Sequence, residues 1–176
     1  MSSNPIQSNP ILFLLTGGTI DSYYSGMLDT AVTREHSVVP NTVNILKLHY
    51  PVEYQEICMK DSRSILLEDR KNILKAIEDS DSYHIIVTHG TYTMCDSARF
   101  VKKNSQGLNK VVIFTGSMIP LEGFSPTDGG FNLGFAVAEL FHQKAGVYLA
   151  MNGKIFDPDE VVKQLNEGRF DSIFGE

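Results

Sequence analysis

The chain has no tryptophan, only two cysteines and no run of lysine or arginine among its 176 residues. Each shortage removes a class of protein. Cys58 and Cys95 are too few for a disulfide scaffold and too far apart in sequence for a zinc pair. Lys and Arg number 15 against 21 Asp and Glu, a formal charge of −6. That is the wrong balance for a nucleic-acid groove, so no nucleic-acid partner is expected. No window approaches the ~18 uninterrupted apolar residues of a membrane helix, so no membrane partner is expected either. The opening MSSNPIQSNP is polar and proline-bearing, unlike a signal or transit peptide. Histidines 36, 49, 84, 89 and 142 form no i,i+4 pair, and neither a metal nor a cofactor is expected. What is present is 42% apolar and 20% charged residues, enough to bury a core in one domain. The expectation is an acidic cytoplasmic protein with a disordered leader over residues 1–10 and a single domain over 11–176.

Five short apolar runs predict strands buried on both faces, because they are rich in Ile, Val, Leu or Phe and lack two-residue alternation. They are Ile11–Thr16, Tyr54–Met59, His84–His89, Lys110–Thr115 and Val147–Met151. Between them, Ile73, Leu74 and Ile77 stripe a predicted helix over Glu68–Asp79, with Ser64 as its N-cap. Met94, Ala98 and Val101 have helical spacing, and Phe131 to Lys144 is apolar nearly all round, predicting a well-buried helix. Asp157-Pro158-Asp159-Glu160 reads as a helix start, with a capping residue, proline and then glutamate. Alternating strands and helices imply an α/β fold: an open, mainly parallel sheet with helices on both faces, three-layered and flavodoxin- or Rossmann-like. Ligands in such sheets bind beyond the carboxyl ends of the strands.

Three strand ends carry glycine beside hydroxyls: Thr16-Gly17-Gly18-Thr19-Ile20-Asp21, Thr88-His89-Gly90-Thr91-Tyr92-Thr93-Met94 and Thr115-Gly116-Ser117-Met118-Ile119-Pro120. Glycine permits close backbone approach or positive φ, and the hydroxyls offer nucleophiles or donors. Any one of these corners is ordinarily a tight turn. Three at one sheet edge point to a site. Gly17-Gly18-Thr19-Ile20 does not continue as G-x-G-x-x-G, and Gly116-Ser117 lacks the flanks of G-x-S-x-G. His89 at a strand end reads as a structural residue bonded to backbone before a catalytic one.

The combination resembles the bacterial-type L-asparaginase family. TGGTI, HGTxTM and TGSMxP followed by Asp128, Phe131, Asn132 and Leu133 carry the likeness. So do Lys60-Asp61-Ser62-Arg63-Ser64 and Met151-Asn152-Gly153 through Asp157 to Lys163. The likeness covers nearly everything after residue 10 and corresponds to that family's N-terminal domain alone. It implies an amidohydrolase releasing ammonia from L-asparagine or a related small amide. Thr19 is the implied nucleophile, next to Gly18, and Tyr24 (or Tyr23) assists it from the adjoining loop. Thr91 and Lys163 are the implied partners in a threonine–aspartate–lysine set. Asp61, Ser62 and Gly90 belong to the implied substrate-binding positions, Ser62 holding an α-carboxylate. Thr91 and Ser117 supply backbone N–H groups for an oxyanion.

The chain departs from the family at one position, where HGTDTM becomes HGTYTM at Tyr92. The family's aspartate pairs with the substrate's α-ammonium, and a tyrosine of ordinary pKa ~10 carries no charge at neutral pH. Leaving a buried charge without its mate costs ~3–5 kcal/mol. Asp96, Asp21 and Asp128 are the candidate replacements, and sequence leaves them unranked. Arg63 adds a cation that either holds a carboxylate bidentately or points to solvent. Two other readings stand beside the enzyme. One is a catalytically weakened module that binds or senses a small amino acid or amide. The other, from fold class alone, is flavodoxin-like nucleotide binding. The resemblance also implies that the family's N-terminal unit without its second domain exposes apolar surface, with helices such as 131–144 available to an interface, so a homo-oligomer is expected, a dimer favoured.

Overall fold

The computed structural model describes residues 9–105 and 107–174. Strand β1 (Ile11–Gly17) leads into a hairpin of β2 (Ser22–Ser25) and β3 (Thr30–Thr33), then α1 (Val39–Leu46) and β4 (Val52–Lys60). Next come α2 (Leu67–Asp79), β5 (His84–Thr88), α3 (Met94–Asn104), β6 (Val111–Thr115), α4 (Gly129–Leu140) and β7 (Gly146–Met151). Short strands β8 (Lys154–Phe156), β9 (Val161–Gln164) and β10 (Arg169–Ser172) complete the order.

The main sheet has the order β4-β1-β5-β6-β7-β8, with β8 alone antiparallel to its neighbour. Its five parallel strands thus take the flavodoxin-like order 2-1-3-4-5, whose switch point lies between β1 and β5. Helices α2 and α3 cover one face, where Ile73, Ile77, Met94, Ala98 and Val101 pack on Leu12, Leu14, Ile85 and Val87. Helices α1 and α4 cover the other, with Val39, Val43, Leu133, Ala136 and Leu140 against Ile11, Phe13, Leu15 and Ile113. The three-layer α/β expectation therefore holds. Register aligns Leu15 with Thr88 and Thr88 with Thr115, so three glycine-bearing turns leave the sheet side by side. Among the described residues no helix is long and apolar enough to cross a membrane.

Four local expectations are corrected. Strand β4 is the sheet edge, so the run over Tyr54–Met59 is half-buried or exposed rather than enclosed. Leu66, not Ser64, caps α2, and the Asp69 carboxylate accepts the Leu66 N–H at 2.8 Å. Helix α4 ends at Leu140 instead of Lys144 and is not buried all round, since Phe131 is 63% exposed. Asp157-Pro158-Asp159-Glu160 starts only one 3₁₀ turn, which passes into β9. Asp157 does cap that turn, accepting the Asp159 N–H at 2.9 Å. Arg99 on α3 decides the outcome, donating to the carbonyls of Pro158 (2.8 Å) and Val161 (2.7 Å) and so holding the segment extended. Residues 1–8 of the expected disordered leader lie outside the described residues. Asn9 donates from its side chain to the Asp81 carbonyl at 3.1 Å.

Candidate active site

The turns at the switch point meet through their glycines. Gly17 and Gly18 have φ of +82° and +84°, a region costly for any residue with a Cβ. A Cβ on Gly18 would sit 2.3 Å from the Gly90 Cα, and one on Gly90 would sit 2.7 Å from the Ser62 Oγ. A Cβ on Gly116 would meet the His89 carbonyl oxygen at 2.3 Å. Three strand ends are therefore in backbone contact, and the Ser62 side chain packs directly on Gly90. Thr19 opens the 3₁₀ turn directly after Gly18 and is half-buried. Gly18 is fixed from behind by its own N–H, which donates to the Lys60 carbonyl at 2.9 Å.

Thr91 is 2% exposed, and its hydroxyl accepts a hydrogen bond from the Lys163 Nζ at 2.7 Å. Lys163 projects from β9, and burial pushes its pKa down. The same ammonium lies 4.3 Å from the centroid of the Tyr92 ring, and the Arg63 guanidinium lies 4.9 Å from it. Tyr92 thus lies against both basic groups, at the position where the resemblance implies an aspartate. Arg63 is also held by Asp61 through three hydrogen bonds, 2.8 Å from its backbone N–H and 3.0 and 2.7 Å from its guanidinium. Ser62, 2% exposed, is pinned through its carbonyl, which accepts from the Thr93 hydroxyl at 2.7 Å.

His89 is wholly buried, and its Nδ1–H donates to the Gly90 carbonyl at 2.8 Å. Desolvation pushes its pKa down to about 4, leaving a neutral ring that braces the turn. The backbone bond expected of His89 is present. On the far side, Asp128 accepts the backbone N–H groups of Met118 and Ile119, each at 2.9 Å. Asn132 donates to the Gly116 carbonyl at 3.0 Å and accepts the Asn152 N–H at 3.2 Å. The Ser117 hydroxyl donates to the Ile119 carbonyl at 2.6 Å, so its side chain is committed to its own turn.

Tyr24 stands apart from this cluster. It is 55% exposed on the β2–β3 hairpin, and its phenol donates to Asp29, a bond that raises its pKa. The alternative, Tyr23, lies under Arg34, whose guanidinium is 5.4 Å from its ring. The candidate replacement acids are now separable. Asp21 accepts from the Ser37 hydroxyl (2.8 Å) and the Val38 N–H (2.9 Å), and Asp128 serves its own turn. Asp96 lines a cavity of about 250 Å³ with Tyr92, Cys95, Val162, Lys163 and Leu165, and its carboxylate faces Arg99 at 3.5 Å. Sequence reasoning passed over Thr93 and Arg99. Thr93 had a signal, a hydroxyl inside HGTYTM, whereas nothing near Arg99 in sequence announces the segment it holds 59 and 62 residues away.

The model of the asparaginase N-terminal family matches residues 10–173. A glutaminase-asparaginase from Pseudomonas aeruginosa is 28% identical over 167 residues, which cover 89% of this chain and 46% of that protein. The thermostable L-asparaginase from Thermococcus kodakarensis superposes with a TM-score of 0.77 at 27% identity, covering 93% of this chain and 51% of its own. A probable cytoplasmic L-asparaginase from Campylobacter jejuni gives 0.75 at 29% identity, covering 93% and 53%. The chain therefore spans about half the length of these relatives. With a superposable fold and a family model spanning nearly all of it, the chain belongs to the asparaginase family through that family's N-terminal domain.

Proposed function

We propose that the chain is an asparaginase-type amidohydrolase that releases ammonia from L-asparagine or a related small amide through an acyl-enzyme on Thr19. One observation carries the proposal. The Thr91–Lys163 hydrogen bond lies one residue beyond the Gly90 backbone that touches Gly18, which itself precedes Thr19. A threonine hydroxyl is a weak nucleophile until a base takes its proton. Lys163 suits that role because desolvation favours its neutral form, and Thr91 relays the proton.

In this reading the Thr19 Oγ attacks the carboxamide carbon while its proton passes toward Thr91 and Lys163. The tetrahedral oxyanion is held by the backbone N–H groups of Thr91 and Ser117. Its collapse breaks the C–N bond, and the nitrogen takes the proton and leaves as ammonia. Water then attacks the ester and restores Thr19. Ser62 and the Gly90 backbone receive the substrate's carboxylate, with Asp61 holding Arg63 beside it. Tyr24 joins only by giving up its bond to Asp29.

Ammonia release from asparagine and short amides tests the reading, with Thr19→Ala expected to lower kcat about 10³-fold or more. Unchanged release by that variant, or none from any amide by the unaltered chain, contradicts it. Thermal stabilisation by amino acids or amides without turnover would favour a binding or sensing module instead, a reading motivated by the cation-capped Tyr92. We also read the protein as a cytoplasmic homodimer. Exposed Phe131, stacked on Phe135 at 6.4 Å, supports a helix α4 interface, and sedimentation as a monomer contradicts it.

A further inference from the structure

Lys163 has Thr91 and the Tyr92 ring as partners and forms no ion pair among the described residues. Five acids close to the site in sequence or space are otherwise engaged. Asp61 holds Arg63, Asp69 holds the Lys60 ammonium at 2.7 Å, and Asp96 faces Arg99. Asp21 accepts from Ser37 and Val38, and Asp128 from Met118 and Ile119. Among the described residues none of these carboxylates stands free for an incoming ammonium. The Tyr92 ring already lies against the Lys163 Nζ and the Arg63 guanidinium and offers little to a further cation. An ammonium-bearing ligand therefore finds no free counter-charge and meets the Arg63 guanidinium beside the ring, which disfavours it, whereas a purely anionic one is spared both costs.

We infer that the site prefers the monoamide of a dicarboxylic acid lacking an α-amino group, and that Tyr92 sets this preference. The inference rests on the amidohydrolase reading above. The reaction consumes one water, breaks the amide C–N bond, and gives a dicarboxylate and ammonium. Succinamate is the simplest probe, differing from asparagine only by the missing ammonium.

The experiment measures kcat/KM for succinamate and asparagine with the unaltered chain, Tyr92→Asp and Asp96→Asn. Succinamate is expected to lead by at least about tenfold, a margin within reach of unpaired polar groups in a site. Tyr92→Asp is expected to shift the ratio toward asparagine by a similar factor, and Asp96→Asn to leave it unchanged. Succinate should also inhibit the unaltered chain more strongly than aspartate, a readout that does not depend on how the variants fold. Preference for asparagine in the unaltered chain overturns the inference alone, and so does a fall of asparagine turnover relative to succinamate in Asp96→Asn, which would make Asp96 the missing counter-charge. Failure of every amide in every form removes the amidohydrolase reading, and the inference with it.

Discussion

The turn after β1 is shaped by backbone, whereas the turn after β5 is shaped by side chains. At the first, two consecutive glycines with positive φ bring Thr19 beside Gly90, and no charged group takes part in that contact. At the second, Thr91 and Tyr92 are held by Lys163 and Arg63, which come from segments about 100 residues apart in sequence. The first arrangement tolerates almost no substitution at its glycines, because nothing there can yield. The second can change its chemistry at a single position, as Tyr92 illustrates, while Thr91 and Lys163 stay together. A fixed frame next to an adjustable charge set separates what holds the site together from what faces a ligand.

The difference can be broken from either side. Gly18→Ala should have the largest structural effect, losing about 3 kcal/mol or more of stability, since a Cβ would lie 2.3 Å from Gly90 backbone at φ +84°. Denaturant unfolding checks this, and a stable variant would mean that the glycine contact is dispensable. Lys163→Met should instead spare the fold and lower kcat by about 10²–10³-fold, the usual contribution of a positioned base. A near-native melting temperature with retained turnover would remove Lys163 from the reaction.

His89 sharpens the comparison through pH. Its folded pKa of about 4 lies below the ordinary 6.5, so between those values the unfolded chain binds more protons. Its contribution is complete above about pH 6.5 and is lost as pH falls toward about 4. The melting temperature of His89→Gln should consequently fall less steeply than that of the unaltered chain over this window. Parallel profiles would contradict the burial argument. Tyr24→Phe should have the smallest effect, leaving stability unchanged, because the exposed phenol bonds only Asp29. A large loss of turnover with intact stability would show that the hairpin turns inward during catalysis.

The parallel sheet and the glycine turns were legible in sequence because both are local. Continuous apolar runs mark buried strands, and Gly17-Gly18, His89-Gly90 and Thr115-Gly116 mark where the chain must leave them. The segment after Asp157 was not legible, since a capping aspartate and proline start a 3₁₀ turn as readily as an α-helix. The path of the chain beyond that turn depends on Arg99, distant in sequence. Likewise Tyr92 read as a lost carboxylate, and only the fold brings Arg63 and Lys163 over its ring. Tyr24 was named by its place in the motif, which carries no information about Asp29 competing for the phenol.

The most direct measurement is rapid quenching in acid during turnover of succinamate or asparagine, then mass spectrometry of the peptide that contains Thr19. The account predicts one acyl group, lacking the amide nitrogen, attached to Thr19 and absent from Thr19→Ala. Steady ammonia release with an unmodified Thr19, or an acyl group on Thr91 instead, would contradict it.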